Sequence, residues 1–138
     1  MELAFFLFII LNNLDREFCE SIPDLVIVQG DTTSAFAGAL AAYYNQIPVG
    51  HVEAGLRTNS LYEPFPEEGN RRLISQISNI HFAPTIVARD NLIKANVMGD
   101  IFITGNTVID ALFMILNKQK KDFEINGLDC ADKEIISI

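Results

Sequence analysis

Carboxylates and basic side chains gather in three short stretches of this 138-residue chain. The stretches are QGDTTS at 29–34, GHVEAGLRT at 50–58 and PFPEEGNRR at 64–72. They contain Asp31, Glu53 and Glu67, none of which has a lysine-rich or cysteine-rich neighbourhood. Carboxylates in such surroundings favour proton transfer, with a carboxylate metal site as the weaker alternative.

Each stretch also has a purely structural interpretation. Asp31 could be only the N-cap of a helix, although the free N–H groups at that helix start could also bind an anion. His51 and Glu53 could form a surface pair, with Arg57 as a solvated charge. Glu67 could be no more than an acidic first turn that suits the helix dipole. Neither GxGxxG nor GxxxxGK[ST] occurs, so a dinucleotide or Walker-type nucleotide site is not supported.

The stretch at 50–58 has a geometry of its own. One residue separates His51 from Glu53, so both side chains share one face of the sheet if the strand continues through Glu53. Gly55 allows close approach of the backbone to a ligand. Arg57 would help to keep a nearby carboxylate charged, as a base or a cation stabiliser requires.

The elements that must position these stretches alternate along the chain. Strands are predicted at 24–30, 47–52, 79–84, 100–106 and 134–138, and helices at 3–20, 31–46, 67–78, 85–96 and 107–121. This alternation predicts an α/β fold with a Rossmann-like, doubly wound parallel sheet and flanking helices. Ligands of such sheets bind outside the carboxyl ends of the strands, where the polar stretches begin.

Charge, hydropathy and cysteine spacing limit the classes of molecule that the chain is expected to bind and the compartment in which it is expected to work. The net charge of −8 argues against nucleic acid, whose partners carry a basic face. The apolar run Leu3–Leu11 is shorter than the roughly 20 residues of a membrane span and lacks a basic flank, so a buried helix or strand is predicted, with a membrane or secretory role as the weaker alternative. Cys19 and Cys130 lack metal-type spacing and predict free thiols in the cytoplasm. His81 lies between apolar residues and is predicted to be a core histidine.

Taken together, the motifs resemble the UDP-N-acetylglucosamine 2-epimerase family, in its non-hydrolysing form. The similar text reads PDLVIVQGDTTSAFAGALAAYYNQIPVGHVEAGLRT, PFPEEGNRRLISQIS, HFAPT and FITGNTVIDAL. It covers residues 23–112 in the family's order and close to its spacing. Any one motif is weak, but four in order are specific.

The resemblance implies a GT-B type enzyme with two Rossmann-like domains and an active site in the cleft between them. It implies interconversion of UDP-GlcNAc and UDP-ManNAc through elimination of UDP, a 2-acetamidoglucal and re-addition, without nicotinamide, metal or other cofactor. By resemblance, the residues that transfer protons and stabilise the oxocarbenium-like transition state are Asp31, Glu53 and Glu67. By the same resemblance, the substrate-binding residues are His51, Arg57, Asn70 and Arg71.

The sequence also departs from the family's pattern. Residues 1–22 contain no GTRPE-like loop, no HRREN-like stretch follows 134–138, and Gly69 stands where a larger residue is usual. The chain is therefore expected to be part of the N-terminal domain, with 1–121 as a partial Rossmann-like domain and 122–138 as a linker and the first strand of a second domain. Such a chain is expected to be weakly active or inactive alone.

Three further possibilities concern partners and products. The strand in DLVIVQG would present an exposed apolar edge, partly covered by Leu3–Leu11, through which the chain could form a homo-oligomer. The chain could instead be a half-domain that a partner chain completes. It could also be another Rossmann-like sugar enzyme, such as a glycosyltransferase or a member of the hydrolysing branch, which releases free ManNAc and UDP.

Overall fold

In a computed structural model, residues 2–118 are described, and they follow the predicted alternation. The helices are α1 Leu3–Glu20, α2 Thr33–Tyr44, α3 Glu67–Ile77, α4 Ile86–Lys94 and α5 Thr107–Lys118. The strands are β1 Val26–Gln29, β2 Val49–Val52, β3 Ile80–Ala83 and β4 Asp100–Ile103. One compact unit extends to Thr107 and contains the sheet; a second begins at Val108. The predicted strand at 134–138, the predicted boundary at residue 121 and Cys130 lie outside the described residues.

The four strands form one parallel sheet in the order β1-β2-β3-β4. Each connection therefore crosses the sheet in the same direction, so right-handed crossovers place α2, α3 and α4 on one face. Within residues 2–118 the sheet is therefore wound in a single direction, and the second direction that a doubly wound sheet requires is not among these strands. Pairing in register sets Val28, His51, His81 and Ile101 in one row.

This row faces the helices. On α2, a Cβ added to Gly38 would lie 3.3 Å from Val28 Cγ1, which shows how closely the alanine-rich helix approaches the strand. Two core clusters result, one from Val28, Ala35, Ala39, Ala42, Ile47, Val49 and Ile74, the other from Ala54, Ala83, Ala88 and Leu92. The helix starts are fixed by Thr32 and Thr85, whose hydroxyls accept hydrogen bonds from N–H groups three residues on, each at 3.1 Å.

The opposite face of the sheet is apolar and exposed. Ile27 is 60% exposed and Phe102 is 50% exposed, although both lie on strands. The Phe102 ring stacks on Phe82 with centroids 6.2 Å apart, and Ile27 lies beside Gly50 of β2. This face has the composition of an interior and the exposure of a surface.

The prediction for Leu3–Leu11 is right about the helix and wrong about its burial. No residue of α1 is buried, and Phe5 and Phe8 are 56% and 62% exposed. Phe8 and Leu11 line a groove with Ala41 and Tyr44, so the run lies along α2, whereas the sequence suggested that it would cover the edge of β1. Among residues 2–118, no helix is long and apolar enough to cross a membrane.

Candidate active site

The loop after β1 carries the first candidate carboxylate. Gly30 has a φ of 73°, which favours glycine, and its N–H donates to the Val52 carbonyl at 3.0 Å. The chain therefore turns at the end of β1 while it remains bonded to β2. The helix cap is Thr32, so the interpretation of Asp31 as the N-cap is wrong. The Asp31 carboxylate is free of capping and available to other partners.

Those partners come from α3. Arg71 Nη2 donates to Asp31 Oδ2 at 2.6 Å, and Asn70 Nδ2 donates to the Asp31 carbonyl at 2.9 Å. The Arg71 side chain is 12% exposed and that of Asp31 is 28% exposed, so the pair is shielded without being sealed from solvent. Two adjacent residues of α3 thus hold both the backbone and the side chain of Asp31. Neither Asn70 nor Arg71 is a solvated surface group.

Glu53 lies directly after β2, in a strained conformation. The strand ends at Val52, and Glu53 has a φ of 67°, in the left-handed region that non-glycine residues seldom adopt. The strand ends where it was predicted to end, so the condition under which His51 and Glu53 would share a face is not met. A Cβ added to Gly30 would lie 3.8 Å from Glu53 Oε2, which places this carboxylate beside the loop that carries Asp31. Glu53 also lines a small depression with Pro84.

His51 is completely buried, so the interpretation as a surface pair with Glu53 is wrong. Its Nε2 lies 2.8 Å from the Gly30 carbonyl. Burial lowers the pKa of His51 to about 4, and the neutral ring donates from Nε2. Since the ring has no exposed surface, it influences the site by holding the Gly30 carbonyl. His81 is likewise buried, with Nε2 2.9 Å from the Met98 carbonyl, and is the core histidine that was predicted.

Arg57 is tied to the protein and is not a solvated charge. Its Nη1 donates to the Leu56 carbonyl at 2.7 Å and its Nη2 to Ser75 Oγ on α3 at 2.9 Å. Burial lowers the pKa of Arg57, and Glu68 acts in the opposite sense. The nearby Gly55 serves packing more than ligand approach, because a Cβ there would clash with the Ala88 carbonyl oxygen.

The two glutamates that begin α3 differ in their surroundings. Glu67 is partly exposed, whereas Glu68 is fully buried. Glu68 Oε2 accepts from the Thr58 N–H at 3.1 Å, and its Oε1 accepts from Arg72 Nε at 2.6 Å. Sequence reasoning missed Glu68 and Arg72. Their spacing of four residues on a helix, with the acid first, is the signal that could have found them.

The site as a whole collects side chains from the carboxyl ends of β1 and β2 and from the start of α3. Asp31 and Glu53 lie at adjacent strand ends, and α3, which begins with Glu67, contacts the Asp31 loop through Asn70 and Arg71. Among residues 2–118, no group of three or more His, Cys, Asp or Glu side chains is arranged to hold a metal ion. Partly exposed carboxylates, of which Asp31 is paired with an arginine, can accept and return a proton, or stabilise a developing cation.

Comparison with known proteins gives one family. The sequence profile of UDP-N-acetylglucosamine 2-epimerase matches residues 3–138. The UDP-N-acetylglucosamine 2-epimerase of Bacillus subtilis is 60% identical over 103 residues, which cover 74% of this chain and 27% of that protein. The Escherichia coli K12 protein of the same name is 55% identical over 107 residues, covering 77% and 28%.

Solved structures agree. The UDP-GlcNAc 2-epimerase of Neisseria meningitidis, bound to UDP-GlcNAc, superposes with a TM-score of 0.82 at 50% identity, over 86% of this chain and 32% of that one. The Methanocaldococcus jannaschii enzyme in complex with UDP-GlcNAc and UDP gives 0.75 at 41% identity, over 80% and 31%. The chain thus spans about three tenths of the length of the relatives that it matches.

Proposed function

The chain belongs to the UDP-N-acetylglucosamine 2-epimerase family, and we propose that it supplies one wall of the active site for interconversion of UDP-GlcNAc and UDP-ManNAc. The observation that carries this proposal is the meeting of Asp31 and Glu53 at adjacent strand ends, beside the helix that begins with Glu67. The exposed free thiol of Cys19 fits a reducing cytoplasm as the place of the reaction.

The proposed reaction balances as an elimination followed by an addition. One carboxylate removes the proton from C2 of the sugar while the C1–O bond breaks and its electron pair leaves with UDP. UDP then adds back at C1, and C2 is protonated on the other face. Asp31, Glu53 and Glu67 share the proton transfers and the stabilisation of positive charge near C1. Arg57, Asn70 and Arg71 shape the sugar side of the site, as does His51 through Gly30.

The chain alone is expected to be weakly active or inactive, because this chemistry needs both walls of a cleft. The decisive experiment therefore places the segment in a complete enzyme. Residues 23–112 would replace the corresponding segment of the Bacillus subtilis relative, and the chimaera would be incubated with UDP-GlcNAc in D₂O. We expect NMR to show deuterium at C2 together with UDP-ManNAc. An inactive chimaera that is folded and still binds UDP would contradict the proposal.

The same chimaera tests the individual carboxylates. Asp31→Asn, Glu53→Gln and Glu67→Gln should each lower the rate of C2 exchange by about 10²-fold or more. A variant within a few-fold of the parent would remove that residue from the mechanism. The products also decide the reaction type, because a hydrolysing enzyme would give free ManNAc and UDP. The names of the relatives favour epimerisation over hydrolysis.

A second proposal concerns association, either between copies or with a completing chain. In the described sheet β1 pairs only with β2, and Ile27 is 60% exposed. Both features suit pairing at this edge. We expect sedimentation velocity to show oligomers that Ile27→Lys disperses. The matched control is Ile93→Lys on α4, since Ile93 is 59% exposed but lies away from the sheet edge. A wild-type chain that stays monomeric at high concentration would exclude self-association.

A further inference from the structure

Glu68 is the most deeply buried carboxylate in the described part of the chain, with no exposed surface. Successive residues of a helix point about 100° apart, so Glu67 and Glu68 cannot face the same side of α3. Glu67 is partly exposed, and Glu68 points into the protein. The two glutamates of the PEE motif therefore have different surroundings, and only one of them can meet a substrate.

The buried carboxylate joins three parts of the site. Through Oε2 it accepts from the Thr58 N–H at 3.1 Å, in the loop after β2 that also carries Glu53 and Arg57. Through Oε1 it accepts from Arg72 Nε at 2.6 Å. Arg71 Nη1 lies 3.4 Å from Oε2. Both oxygens are thus engaged, and each partner is held by a charge-assisted contact.

Arg71 extends this connection to Asp31. Its Nη1 faces Glu68 while its Nη2 donates to Asp31 Oδ2 at 2.6 Å. A guanidinium is planar and its nitrogens are fixed relative to each other, so the position of one carboxylate determines where the other can bind. Removing the charge of Glu68 would free one end of Arg71 and with it the direction from which Arg71 meets Asp31.

From this geometry we infer that Glu68 is a positioning residue, which acts through Arg71 on the Asp31 carboxylate and through Thr58 on the loop after β2. It touches neither substrate nor reacting atoms. The inference rests on the proposed function only for its consequence in catalysis. The connection itself is a property of the folded chain and can be measured without turnover.

The test compares Glu68→Gln with Glu63→Gln in the purified chain by NMR. The side-chain amide that Glu68→Gln introduces keeps an acceptor for the Thr58 N–H but loses the charge that holds Arg71. Glu63 is an exposed carboxylate in the same loop and serves as the matched control. We expect Glu68→Gln to shift the Asp31 backbone amide and side-chain carboxyl signals and to speed rotation of the Arg71 guanidinium. Glu63→Gln should leave both unchanged.

A second variant covers failure of Glu68→Gln to fold. Arg71→Lys keeps the charge but replaces the planar guanidinium, whose two terminal nitrogens meet Asp31 and Glu68 separately, by a single ammonium group, so it should shift the same Asp31 signals. The inference would be overturned if either variant folds and its Asp31 signals shift no more than those of the Glu63→Gln control. A lower melting temperature alone would not rescue it.

The catalytic consequence is measured separately, in the chimaera in which residues 23–112 replace the corresponding segment of the Bacillus subtilis relative. Glu68→Gln should lower kcat about 10-fold or more with little change in KM, since misplacement of a reacting group costs rate before binding. A chimaera that is inactive with Glu68 intact defeats the proposed function and leaves the NMR result standing. An active chimaera whose kcat does not respond to Glu68→Gln defeats the positioning role.

Discussion

Arg71 on α3 and Asp31 after β1 are 40 residues apart in sequence and are joined by an ion pair of 2.6 Å. The pair holds the N-terminal half of α3 against the loop at the end of β1. It is shielded, with exposed fractions of 12% for the arginine and 28% for the aspartate. The contribution of this pair to the free energy of unfolding can be compared with that of a surface ion pair in the same chain.

Removal of Arg71 should destabilise the fold far more than removal of a surface arginine. Arg71→Ala removes the arginine partner of Asp31 and one of the two arginines beside the buried Glu68, which should cost about 3 kcal/mol of unfolding free energy. Arg89, paired with Asp90 at 40% and 45% exposure, is the control, and Arg89→Ala should cost about 0.5 kcal/mol or less. Urea unfolding measures both. Equal losses would mean that the shielding of the Arg71 pair adds nothing.

Burial of neutral His51 should make stability depend on pH. In the fold its pKa is lowered to about 4 from 6.5, chiefly by burial, so below pH 6.5 the unfolded state binds more protons than the folded state. The contribution of His51 is complete above pH 6.5 and is lost as pH falls towards 4. The difference between the two pKa values corresponds to a loss of about 3 kcal/mol of unfolding free energy. The pKa of His81 is lowered too, also by burial, and acts in the same direction.

His51→Gln isolates this contribution, because glutamine can donate to the Gly30 carbonyl but does not titrate. Unfolding free energies of the two proteins should converge as pH falls from 6.5 to 4, since only wild type loses the histidine contribution. Parallel curves across that range would show that His51 is not held neutral in the folded state.

Gly69 is a position where the sequence can be improved. It lies inside α3, and a Cβ there would meet only Leu61 Cδ1, at 4.0 Å. Gly69→Ala should therefore raise the unfolding free energy by about 0.5–1 kcal/mol through helix propensity. Gly55→Ala is the opposite case, because its Cβ would clash with the Ala88 carbonyl oxygen. Thermal unfolding should rank Gly69→Ala above wild type and Gly55→Ala far below it.

Glu53 should be a site where stability and function oppose each other. Its φ of 67° costs about 1 kcal/mol that glycine would not incur. Glu53→Gly should thus stabilise the chain by up to about 1 kcal/mol while it abolishes C2 exchange in the chimaera. Glu53→Gln, which keeps the strain, should lose exchange without gaining stability. A destabilised Glu53→Gly would mean that the side chain itself holds the loop.

The order of elements was readable because local signals agreed with one another. Thr32 and Thr85 mark helix starts, and short β-branched runs end at glycine or proline, so helices and strands fall within a few residues of prediction. Because the strands pair in parallel, the loops that follow them all lie at the same edge of the sheet. The direction of winding was not readable, because it depends on which strand pairs with which.

The details of the site depended on contacts that no local pattern carries. The left-handed conformation of Glu53 comes directly after the predicted end of β2, and no local pattern indicates it. The burial of Glu68 depends on the Thr58 N–H ten residues away, and that of His51 on the turn at Gly30. The apolar start of α1 suggested burial, yet burial requires a neighbour on each side, and α1 packs chiefly along α2 among the described elements.

The order β1-β2-β3-β4 repeats the order in which a ribosome releases the strands. Among the strands of residues 2–118, each new strand therefore finds its pairing partner already synthesised, and none of them must wait for a distant one to its C-terminal side. The loops that carry Asp31 and Glu53 can come together as soon as β2 has emerged, before β3 and β4 exist. Folding in the direction of synthesis would thus complete the carboxylate pair first and the far edge of the sheet last.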